Sequence, residues 1–131
     1  MSSSPMAKTY SFNTLQQAGE YFLKQGWTDG LPINLPTEQE VSKFIALSGK
    51  SNKDVIGVEP VKGREITIGK VAINSVMAGC KPEYFPVVIT AVEALVESKF
   101  NLHGITASTM GAGILTLVTG SIAKEIGLNG G

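Results

Sequence analysis

The chain has little with which to staple itself together: of its 131 residues only Cys80 is cysteine and only His103 is histidine. One cysteine excludes an internal disulfide framework. With a single histidine it also excludes a self-contained zinc site of the usual four-ligand kind, so no metal is expected. A lone thiol suits a reducing compartment. Net charge is missing too, because eleven basic residues balance eleven acidic ones. No long-range field gathers nucleic acid or an anionic membrane, and neither is expected as a partner. The longest apolar stretch, residues 87–96, is interrupted by Thr90 and Glu93. It falls far short of the roughly 20 residues that cross a bilayer. The polar opening Met1, Ser2, Ser3, Ser4, Pro5 lacks the charged-then-apolar order of a secretory signal and reads as a flexible start. These absences point to a soluble, cytoplasmic protein.

What is present suits one domain, a length that buries about two-thirds of the unfolded surface without staples. Residues 1–10 read as a flexible segment and residues 11–131 as a single α/β domain of helices on a small mixed sheet. Asn13 or Thr14 caps a first helix whose stripe is Leu15, Ala18 and Phe22, ending at Gly26. Thr37 and Glu40 make a capping box for a second helix with Val41, Phe44 and Ile45 on its apolar face, stopped by Gly49. Residues 54–58 and 64–68 favour strands, either as a hairpin or in different layers.

From Lys70 the spacing of Val71, Ala72, Ser75 and Val76 is helical as far as Gly79. A further helix starts near Pro82 or Pro86 and runs to Ser98. That helix is apolar on most faces, which predicts a central position with sheet on one side and a partner on the other. Strands are expected over residues 102–107 and 114–118, separated by a glycine-rich turn, before a short helix over residues 121–126.

Chemistry has few places to be. Cys80 lies between the end of one expected helix and the start of the next, beside Lys81, and both features favour thiolate. The alternative is a small apolar residue filling a corner. His103 is the only side chain that ordinarily titrates near neutrality, so a Cys-His pair or a general base would recruit it. Gly104 beside it permits close approach of a ligand or of backbone. Thr119, Gly120 and Ser121 run from an expected strand into a helix, where backbone N–H groups would face a carboxylate or phosphate; Ser121 also reads as an ordinary N-cap. The stretch Gly111-Ala112-Gly113 lacks the third glycine and the lysine of nucleotide loops. Asp29 would bind a substrate amine or simply form an Asp-Gly turn. Glu83 and Tyr84 matter as substrate contacts only if Cys80 is reactive.

The stretch Val71-Ala72-Ile73-Asn74-Ser75-Val76-Met77-Ala78-Gly79-Cys80-Lys81-Pro82-Glu83-Tyr84-Phe85-Pro86-Val87-Val88, with Asp29-Gly30-Leu31-Pro32 and Asn101-Leu102-His103-Gly104, resembles a bacterial family. Its members are associated with the thiol or selenocysteine proteins of the UGSC family. The resemblance covers most of the chain from Thr28 onward and places Cys80 and His103 inside the signature. It implies a continuation beyond Gly127-Leu128-Asn129-Gly130-Gly131, whether as a separate subunit, a longer chain or a cleaved precursor. The resulting expectation is a subunit of a hetero-oligomeric bacterial enzyme acting on a small polar metabolite. Cys80 would be nucleophile or redox thiol, His103 its proton partner, and a second polypeptide would complete the site. The cofactor is left open, as is any metal that a partner chain would share. A non-catalytic scaffold or specificity subunit and a small-anion binding module are the alternatives.

Overall fold

The computed structural model describes residues 7–128. The polar opening at residues 1–5 and the Gly130-Gly131 end lie outside them. The Thr14 hydroxyl accepts the Gln17 N–H at 3.2 Å and opens α1, Leu15–Lys24. Ala18 and Phe22 are buried as the spacing predicts, whereas Leu15 is 79% exposed. Side chains of a first turn lean back toward the helix start, and no element covers that spot for Leu15.

Thr37 caps α2, Glu38–Ser48, accepting the Glu40 N–H at 3.2 Å. Half of the expected box forms: the Glu40 carboxylate turns to Lys43 at 2.7 Å instead of reaching back to the cap. Gly49 closes the helix in the left-handed region, φ 64°.

Strands β1, Val55–Glu59, and β2, Arg64–Thr67, form an antiparallel hairpin, which decides between the two arrangements left open by the sequence. Glu59 organises the turn by accepting the N–H groups of Val61 and Lys62, both at 2.8 Å. Those two donors, with His103 adding a smaller attraction, hold its carboxyl below the usual glutamate range. A depressed carboxylate contributes stability above its ordinary titration range and loses it as pH falls through the folded-state value. Glu59→Gln is therefore expected to lower the urea midpoint slightly at neutral pH. The difference from the parent should shrink to nothing in acid; a constant difference across that range would place the effect elsewhere.

Thr67 caps α3, Ile68–Met77, which begins two residues before the expected start because the hairpin delivers the chain directly into it. Ile68, Val71, Ala72, Ser75 and Val76 are buried, and the Ser75 hydroxyl is satisfied by donating to the Val71 carbonyl at 2.9 Å. After a 3-10 turn, Pro82–Tyr84, comes α4, Phe85–Val96. The core joins Val41 and Phe44 of α2, the inner face of α3, and Phe85 and Ile89 of α4. Phe44 and Phe85 meet edge to face, ring centroids 5.4 Å apart.

The α/β class holds, with helices packed on one small sheet. Two expected strands do not form. Most of the first, residues 102–106, is helical, as α5, Leu102–Thr106, with Ala107 closing it. Asn101, at φ 53°, starts the helix, and its side-chain amide occupies the space above the bare Gly104. Gly104 thus admits a neighbouring side chain. Residues 114–118 form no strand and pair with nothing among the described residues, and Leu115 is 89% exposed instead of buried. β-favouring composition makes a strand only where a neighbouring edge is in reach. The last helix, α6, is Ser121–Glu125. No described helix is long and apolar enough to cross a membrane.

Candidate functional site

Cys80 sits where α3 stops. Gly79, at φ 78°, turns the chain; its N–H donates to the Val76 carbonyl at 2.9 Å and the Cys80 N–H to the Ser75 carbonyl at 3.0 Å. This pair of bonds is the Schellman closure, in which the residue after the glycine folds an apolar side chain back onto the helix. The closure recurs twice. Gly26 and Trp27 end α1 with bonds to Leu23 and Phe22, and Gly127 and Leu128 end α6 with bonds to Lys124 and Ala123. Cys80 therefore occupies the position held elsewhere by Trp27 and Leu128, and it packs, half-buried, against the core. The extended chain before α2 closes over this corner. The Asn34 N–H donates to the Met77 carbonyl at 3.4 Å, and the Asn34 amide lies against the bare face of Gly79.

Lys81, Glu83 and Tyr84 adjoin Cys80 in the turn that follows it, and no hydrogen bond joins any other expected site residue to it among the described residues. His103 is exposed on α5, where its charge adds a small attraction to the Glu59 carboxylate, and no hydrogen bond joins it to Cys80 among the described residues. Asp29 is committed to a local turn: its carboxylate accepts the Leu31 N–H at 3.2 Å, while the Thr28 hydroxyl accepts from Gly30 and donates to the Leu31 carbonyl. Lys81 and Glu83 are exposed and Tyr84 is half-buried. The chain leaves Cys80 in a 3-10 turn of 3 residues, too short to supply the dipole expected of a full helix start. The cap of α6 is Gly120 and not Ser121, with no side-chain bond. Thr119, Gly120 and Ser121 are exposed around a helix of 5 residues. No group of three or more His, Cys, Asp or Glu side chains suited to a metal comes together among the described residues.

Two grooves have no counterpart among the sequence expectations. One, of about 620 Å³, lies between the segment before α1 and the helices α1, α2 and α3. Tyr10, Phe22 and Trp27 line it, with Trp27 held 5.2 Å from Phe22 and 5.8 Å from Tyr10 between ring centroids. The signal was the spacing of aromatics either side of a helix ended by Gly26. The other, of about 510 Å³, separates α4 from residues 114–119. Its α4 wall is Pro86, Val87, Thr90, Ala91, Ala94 and Leu95, with Phe85 and Ile89 of the same helix buried in the core. Glu93 is the only charged residue on α4, and it is engaged with Lys50 at 3.0 Å. Between Lys99 and Lys124 the chain holds no Asp, Glu, Lys or Arg.

Comparison with known protein families, with curated proteins and with solved structures finds no match to this chain.

Proposed function

We propose that this chain is an interaction subunit of a multi-chain bacterial assembly in the cytoplasm, and that it works by presenting the apolar side formed by α4 and residues 114–119. One observation carries the reading. Leu115 and Leu117 are 89% and 82% exposed on a charge-free segment with no backbone partner. A contiguous apolar surface of this kind is characteristic of a face that another polypeptide covers. The thiol needs no catalytic role here, since Cys80 is accounted for as the residue that closes α3.

The second reading is the catalytic one, a subunit of a hetero-oligomeric enzyme that attacks a small polar metabolite through Cys80. In its favour, the thiol is half-buried and not sealed, and it lies between Lys81 and the Asn34 segment. His103 would serve it only if a partner chain brought α5 closer.

Native mass spectrometry on the protein purified from its source cells separates the readings, combined with brief thiol alkylation. The interaction reading expects a species well above the 13.8 kDa of one chain. It also expects Cys80 to label slowly until the protein is unfolded, and Cys80→Ser to leave the assembly mass unchanged. Labelling as fast as a free thiol, with Cys80→Ser abolishing turnover by the intact assembly, would move the chain to the catalytic class. A lone 13.8 kDa species would overturn both.

A further inference from the structure

We infer that residues 114–118 form an intermolecular β-strand, pairing antiparallel with the same residues of a second copy of this chain. The inference rests on the reading of the chain as an assembly subunit and names its first partner. The segment Ile114-Leu115-Thr116-Leu117-Val118 is wholly β-branched or leucine, with no charge and no proline. Natural proteins blunt open edges with charge, proline or bulges, and none is present here. None of its N–H or C=O groups bonds to another backbone group among the described residues. The segment holds no helix or turn, so no competing regular structure has to be undone on pairing.

Symmetry sets the register. In such a strand side chains alternate, placing the two most exposed residues, Leu115 and Leu117, on one side and Ile114, Thr116 and Val118 on the other. A twofold pair that keeps both leucine sides together must oppose residues of the same parity. The arrangement centred on Thr116 sets Leu115 against the partner's Leu117 and Leu117 against the partner's Leu115. Ile114 then faces the partner's Val118, so apolar side chains oppose apolar side chains on both faces. Moving the centre by one residue opposes a leucine to Gly113 or Thr119 instead.

The area is sufficient for a reversible dimer. Met110, Ile114, Leu115 and Leu117 are all among the exposed large hydrophobics. At about 60–120 Å² for each such side chain, four from each copy offer roughly 500–1,000 Å², to which the strand backbone adds. That reaches the low end of specific interfaces, around 1,000–1,200 Å², where association is concentration-dependent.

Sedimentation velocity on the full chain across a concentration series is the test, with two charge variants fixing the register. L115K/L117K sets like charges directly opposite each other and is expected to weaken the dimer about tenfold or more. L115K/L117E places a lysine opposite a glutamate in each pair, and the dimer should persist and become sensitive to salt. Both positions are exposed, so the unfolding midpoint of each variant confirms an intact fold. Thr116→Cys in a Cys80→Ser background should form an interchain disulfide under mild oxidation, because the register places the two copies of residue 116 face to face. A chain that stays monomeric at every concentration overturns the inference, as does a dimer that tolerates L115K/L117K. If that monomeric chain still co-purifies from its source cells in a complex with a different polypeptide, the assembly reading stands and only the partner was wrong; isolation as a single chain from those cells would remove both.

Discussion

Phe85→Ala is expected to remove most of the stability of this domain. Phe85 is 0% exposed and meets Phe44, itself 2% exposed, edge to face. It also stands at the joint where the 3-10 turn after Cys80 becomes α4, so its ring ties α4 to α2 across the centre of the core. Truncating a buried phenylalanine loses its transfer free energy and leaves a cavity, at a cost of about 3–5 kcal/mol. Domains of this size hold roughly 5–15 kcal/mol in total. Urea unfolding followed by far-ultraviolet circular dichroism should show a large fall in midpoint with an unchanged slope. Phe44→Ala should cost a similar amount. The double variant should fall short of the sum by roughly 0.5–1.5 kcal/mol, because each single change already forfeits the ring–ring contact. Leu15→Ala is the control: that residue is 79% exposed and its loss should stay within about 0.5 kcal/mol. Strict additivity of the two phenylalanine changes would show that the rings act independently.

Gly57→Ala is expected to be destabilising even though alanine is normally the better residue within a strand. The φ of Gly57 is not in the left-handed region, so conformation does not demand glycine there. Space does. A Cβ at residue 57 would overlap Cγ2 of Val96 and lie 3.2 Å from its Cβ. Val96 is the last residue of α4 and is β-branched, so its χ1 has little freedom to yield. The hairpin must lift off the helix or the helix end must shift, at about 1–3 kcal/mol. That outweighs the roughly 0.5–1 kcal/mol that removing a strand glycine ordinarily returns. Adding Val96→Ala should recover most of the loss, as seen by the urea midpoint of the double variant against each single one. A neutral or stabilising Gly57→Ala would mean that β1 and α4 pack less closely than the structure shows.

Both residues illustrate the limit of local pattern. Phe85 was legible as one apolar position on a helix apolar nearly all round, but nothing in the local pattern says which of its faces is the core. The structure assigns Phe85 and Ile89 to the core and Val87, Ala91 and Leu95 to the outer groove. Gly57 gave no signal at all, since its partner lies far along the chain in Val96. Cys80, His103 and Asp29 were grouped by residue type and by a shared signature. In the fold, local bonds engage two of them: the Cys80 N–H closes α3 and the Asp29 carboxylate makes its own Asx turn.

Local chemistry determined the helix limits at Thr14, Thr37 and Gly49, the glycine stops at Gly26 and Gly79, and the two strand-forming runs before α3. Each depends on a cap, a positive φ or a short-range spacing that the chain carries wherever it is placed. Tertiary structure alone decided that those two runs pair with each other, that residues 102–106 coil into a helix, and that residues 114–118 stay without a pairing partner. A strand exists only where an edge meets it, and a face is buried only where something covers it; both conditions depend on distant parts of the chain, or on another molecule.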